Sequence, residues 1–132
     1  MELGLPIKEF FIWTDDWEYT RRISRKYPCY AVADSTVVHL SKSNIGANIA
    51  DESAVRLSRF DFLYRNDVFL YRREGLCGWL WLLAKDGWHS AQVIRRGKLP
   101  RLRVIWRGFR EGLRFAPAVE DDGGADNRGS PS

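Results

Sequence analysis

At 132 residues, 45% of them hydrophobic and 14% aromatic, the chain has enough apolar surface for one folded core and no room for a second. Wholesale disorder and a multidomain architecture are therefore set aside. The net charge of +4 understates the body, because the segment from Val119 to Ser132 carries −3 and leaves +7 on the rest. A basic body with an acidic, Gly/Ser-rich end points to a polyanionic partner, with one domain over residues 1–118 and a disordered tail over 119–132.

In chain order, Pro6 stands where a helix begins, and Ile7, Phe10, Phe11, Trp13 and Trp17 follow at helical spacing toward a basic end at Arg21, Arg22, Arg25 and Lys26. Pro28 closes that segment. Tyr30–Leu40 is rich in β-formers and reads as one bent strand or a short pair. Residues 41–51 read as a loop. Val55–Arg65 reads as a second strand with a phase break at Arg59. Asn66 or Asp67 would cap a helix running to about Lys85, and its stretch Leu76–Leu83 is apolar nearly all round, as in a buried helix. The run Val68–Arg73 could instead extend a strand. Asp86-Gly87 ends the segment, and Trp88–Arg96 forms a shorter helix. A strand over 101–107, a tight turn near Gly108–Gly112 and a last strand Leu113–Ala116 complete the chain. The expected fold is α+β: a small antiparallel or mixed β-sheet with helices on one face and a basic concave surface on the other.

The basic surface is the main functional signal. Residues 95–114 hold eight arginines and lysines against Glu111. On a strand, Arg101, Arg103, Ile105 and Arg107 share one side, and Leu102, Val104 and Trp106 the other. A sheet face with guanidinium groups and few aromatics suits the phosphates of a duplex better than unstacked bases. Lys98, Arg110 and Arg114 extend the basic set, with Arg72 and Arg73 as a second group and Arg56, Arg59 and Arg65 as a third.

Three local patterns resemble one family, the nineteen-kilodalton RNA-silencing suppressors of tombusviruses and their shorter aureusvirus relatives. The first is Trp13-Thr14-Asp15-Asp16-Trp17. The second is the order Leu70-Tyr71-Arg72-Arg73-Glu74, then Trp79 or Trp81, then Asp86-Gly87, then Ser90. The third is Arg103-Val104-Ile105-Trp106-Arg107-Gly108. The likeness spans roughly residues 10–116; with no long C-terminal helix after Pro117, it is closer to the aureusvirus members. The resemblance implies a viral suppressor in the host cell cytoplasm that sequesters double-stranded RNA, small interfering duplexes included, by sequence-independent sugar-phosphate contacts. It implies that Arg103, Ile105 and Arg107 lie on a concave sheet surface, that Trp13 and Trp17 stack on duplex ends, and that a homodimer is the working unit.

Other sites are weaker. Cys29, His39, Cys77 and His89 match no compact ligand spacing, so no metal or other cofactor is expected, and two cysteines make no disulfide framework. No catalytic constellation stands out, so the expectation is a binding protein and not an enzyme. The N-terminus lacks a signal-peptide layout and the longest apolar run is far short of the roughly 20 residues that span a bilayer, so no membrane partner is expected. The alternative reading is a protein-interaction module in which Gly78-Trp79 or Gly87-Trp88 contacts Argonaute.

Overall fold

The structure, a computed structural model, describes residues 3–36, 38 and 48–120. Among the described residues there is no β-strand. Four α-helices carry the fold: α1 (Asp15–Ser24), α2 (Arg59–Tyr71), α3 (Gly75–Arg95) and α4 (Leu102–Arg114), with 3-10 turns at Lys8–Phe10, Ala54–Arg56, Arg72–Glu74 and Leu99–Arg101. The expected α+β architecture and its concave sheet are thereby corrected.

The reason lies in which period wins over the longer window. Alternation around Arg101–Arg107 is satisfied over seven residues only. Over the whole of α4, Arg103, Arg107, Arg110 and Arg114 recur at spacings of four, three and four. Ile105, Gly108 and Gly112, the buried positions, take the opposite side. Val55–Arg65 changes in the same way, since Phe60, Tyr64 and Val68 line up at four-residue spacing and are fully or almost fully buried. With neither segment extended, a strand would leave its backbone donors and acceptors without partners, whereas a helix satisfies them internally.

Several boundaries also move. Only Asp15–Ser24 of the expected N-terminal helix is α-helical. The expected helix ending near Lys85 is divided at Gly75, whose φ of 67° is left-handed, and its second half fuses with the Trp88–Arg96 helix to make α3. Gly108–Gly112 lies inside α4 and is no turn, and Phe115 is extended past its end. Residues 30–36 are exposed and carry no regular structure. The expectations placed on residues 37, 39–47 and 121–132, which include His39 and most of the acidic tail, lie outside the described residues.

The core is built around α2, which is buried at every position from Asn66 to Leu70. Phe60 and Tyr64 of α2 meet Val93 of α3, Ile105 of α4 and the segment Ile49-Ala50. Phe69 meets Ile7 and Phe10 on the other side, edge-on to the Phe10 ring at 5.6 Å. Two glycines set the α2–α4 distance. A Cβ at Gly108 would stand 2.7 Å from the Tyr64 Cβ, and one at Gly112 would stand 2.6 Å from the Val68 Cβ and 2.7 Å from the Arg65 carbonyl oxygen. Hydrogen at both positions lets the helix backbones approach closely.

α3 departs from expectation in a different way. Its inner side holds Gly78, Leu82, Asp86 and Val93, whereas Leu76, Leu80, Trp81 and Leu83 are exposed, so the segment is not buried all round. The most deeply buried helix is α2.

Candidate functional site

The fold disperses most of the expected phosphate-binding arginines into structural roles. Arg72 donates to the carbonyl oxygens of Gly112, Leu113 and Phe115 at 3.2, 3.1 and 2.6 Å, closing the C-terminal end of α4. Arg65 donates to Asn66 and to the Glu9 carbonyl and stacks over Phe115 at 4.0 Å. Arg101 donates to the Ile49 carbonyl, and Lys98 to that of Ala50 at 2.8 Å, so both fasten the same segment. Arg73 lies over the Phe69 ring at 4.0 Å, Arg59 over Trp13 at 6.0 Å, and Arg56 faces Glu52 at 4.0 Å.

Four arginines do come together. Arg103, Arg107, Arg110 and Arg114 form a row on the outer face of α4, about 16 Å long at the helical rise. With Arg65, Trp106, Phe115 and the single acid Glu111 they line an open concavity of about 650 Å³. Arg107 pairs with Asp61, its Nε 3.0 Å from Oδ1, and that hydrogen-bonded carboxylate holds its guanidinium above the usual value. Arg103, Arg110 and Arg114 have no ion-pair or hydrogen-bond partner among the described residues.

A second site was not foreseen. Trp13 and Trp17 do not share one helix face, because Trp13 precedes α1. It lies in a corner where Phe11, Trp13 and Thr14 have φ of 56°, 70° and 67°. Bulky and β-branched side chains avoid that region at a cost of roughly 1–3 kcal/mol each. Asn66 pins the corner: its fully buried amide donates to the carbonyls of Phe10, Ile12 and Trp13 at 3.0, 3.2 and 2.9 Å. The Thr14 hydroxyl donates to Asp67 at 2.9 Å, and Lys85 of α3 neutralises that carboxylate. The corner opens α1 so that Asp15, Asp16 and both indoles face a cleft of about 500 Å³, closed by Leu63, Asp67 and Tyr71 of α2. The Trp13 indole nitrogen is shielded from solvent with no hydrogen-bond partner. The sequence offered Asn66 and Asp67 only as helix caps, and no local pattern marks an asparagine that will clamp a turn over fifty positions away.

Gly78 is buried and Trp79 packs edge-on to Phe109 at 6.5 Å, so this pair is no exposed hook; Gly87-Trp88 is exposed, on α3 and not in a turn. Cys29 and Cys77 are exposed, and no cluster of metal-ligating side chains occurs among the described residues. His89 accepts or donates to the Tyr64 hydroxyl at 2.9 Å. Burial holds this imidazole below, and the Tyr64 phenol above, their ordinary values. Beside them Asp86 is buried with neither carboxylate oxygen hydrogen-bonded, and desolvation pushes it up to about 6.

No protein-family model, curated protein or solved structure matches the chain.

Proposed function

We propose that the chain binds a small hydroxyl-rich ligand in the cleft between α1 and α2. The strained corner carries this reading. Three costly backbone angles within four residues are held by a dedicated buried asparagine, and their effect is to aim carboxylates and indoles into one cavity. Strain of this kind persists where surrounding structure over-determines it, and it concentrates at ligand sites. The chemistry of the walls selects the class. Asp15 and Asp16 offer acceptor oxygens for ligand hydroxyls. Trp13 and Trp17 offer flat apolar faces. Asp67 is already neutralised by Lys85 and Asp16 already accepts from the Trp17 N–H at 2.8 Å, which lowers the pull for a free cation and favours a neutral donor-rich molecule.

The test is tryptophan-fluorescence titration with a panel of neutral hexoses and pentitols, with simple amines alongside. Saturable quenching by at least one polyol is expected, weakened about tenfold or more in Asp15→Asn/Asp16→Asn, in line with the loss of hydrogen bonds to charged acceptors. No response to any polyol, or a response indifferent to that double substitution, refutes the reading. Duplex RNA, the partner expected from the sequence, has lost the sheet that was to carry it; it enters below as a rival occupant for the arginine row of α4.

A further inference from the structure

We propose that α3 and α4 together form one face that docks onto an anionic lipid surface. The outer side of α3 is apolar from end to end: Leu76, Leu80, Trp81, Leu83, Trp88 and Ile94 are each more than half exposed. The other positions on the same side are Cys77, Ala84, Gly87 and Ala91, so no charge interrupts the stripe from residue 76 to residue 94. At roughly 100 Å² apiece the six large side chains present on the order of 600 Å², the upper end of the largest patch on a typical monomer, a size often tied to function.

This stripe does not stand alone. A groove shared by the two helices is walled by Leu83, Asp86, Gly87 and Ser90 of α3 and by Ile105, Trp106 and Phe109 of α4. Trp106 and Phe109 lie nearly parallel there, 6.1 Å apart with planes 5° from parallel. The indole of Trp106 is 63% exposed and also borders the arginine concavity, so one ring joins the apolar groove to the cationic row. Moving across the molecule, the surface passes from the four arginines to Trp106, then to the leucines, then to Trp81 and Trp88.

That sequence of chemistries matches a headgroup–acyl boundary. Arginines meet lipid phosphates, amphipathic indoles favour the interface, and leucines enter the outermost hydrocarbon. A nucleic acid would use the arginines and leave the leucine stripe in water. A second copy paired through α3 would cover the leucines and leave the arginine row idle. Only an anionic bilayer uses both halves. No described helix is long and apolar enough to cross a membrane, so the contact lies in the plane of the interface.

The experiment is cosedimentation of the full chain with vesicles of pure phosphatidylcholine and of phosphatidylcholine mixed with phosphatidylserine, with tryptophan emission read in parallel. Binding to the mixed vesicles, a blue shift of emission and weakening by added salt are expected. Arg103→Gln/Arg110→Gln, which removes two guanidiniums without a protein partner, should weaken binding about tenfold or more. Leu80→Ser/Leu83→Ser should weaken it about tenfold as well with unchanged circular dichroism. Equal binding to both vesicle types overturns the proposal, as does indifference to either pair of substitutions. Tighter binding of duplex RNA that ignores the leucine variants would assign the row to nucleic acid. A dimer abolished by Leu80→Ser, with no lipid binding, would assign the stripe to a second copy.

Discussion

α3 and α4 lean on the same central helix, and each brings a glycine into close contact on its inner side, yet they distribute polarity in opposite senses. α4 follows the usual rule, with Ile105, Gly108 and Gly112 inward and arginines outward. α3 inverts it: Asp86 is buried and Lys85 and His89 are half-buried, while leucines and tryptophans face out. A single core satisfies α4 but cannot explain α3. The inverted helix leaves its leucines and tryptophans in water, and the cost of its buried carboxylate is borne inside.

The contrast can be broken hardest at the α4 glycines. Gly112→Val places carbon within contact distance of Val68 and the Arg65 carbonyl, and should destabilise by about 3 kcal/mol or more in a urea titration. A loss below about 1 kcal/mol would mean that the helices separate freely. Next come two neighbouring leucines of α3 that the inversion places on opposite sides. Leu82→Ala should cost about 2–5 kcal/mol because Leu82 is fully buried, whereas Leu80→Ser should stay within about 0.5 kcal/mol. Equal costs would erase the inversion.

The third prediction concerns pH. Asp86 has its carboxyl raised to about 6 by burial, against 3.8 ordinarily, so the fold is penalised while this group is charged. Stability from Asp86 is therefore greatest below the unfolded value and is lost as pH rises toward and through 6. His89 runs the other way: its depressed value makes the fold lose stability as pH falls below 6.5. Asp86→Asn should add on the order of 2 kcal/mol at neutral pH, fading to nothing near pH 4, as read by thermal melts across pH. A gain independent of pH would sink the assignment. The smallest effect belongs to the outer face of α4, where Arg103→Gln should leave stability unchanged within about 0.5 kcal/mol. Arg72→Ala, by contrast, removes a donor from three carbonyls, of which that of Gly112 keeps the Phe115 N–H, and should cost about 1–3 kcal/mol.

Much of this was legible in the letters, and the errors have one physical source. The α1 segment, the helical nature of Leu76–Lys85 and the gathering of basic residues near the C-terminal part could all be read locally. The period of the basic segment could have been read too. Arg110 and Arg114 fit the helical spacing and not the alternating one, so the helical period is visible only in a window longer than the seven residues over which alternation also holds. The clamp of Asn66 on the Phe10–Trp13 corner was beyond local reading, since it depends on α2 lying against a segment remote in sequence. The fate of each arginine was also unreadable, because a guanidinium near a helix end finds carbonyls, as Arg72 and Arg101 do, and one in the middle of an exposed face finds water.

The pair Gly108 and Gly112 has a further consequence for how this sequence can drift over generations. Of the outer letters of α4, Arg107 is held by Asp61, whereas Arg103, Arg110 and Arg114 have no partner among the described residues, and a lineage could rewrite those three. The two hydrogens facing α2 answer to the fold itself and would be the last to go. In a collection of descendants, that four-residue rhythm of glycine should outlast every arginine around it.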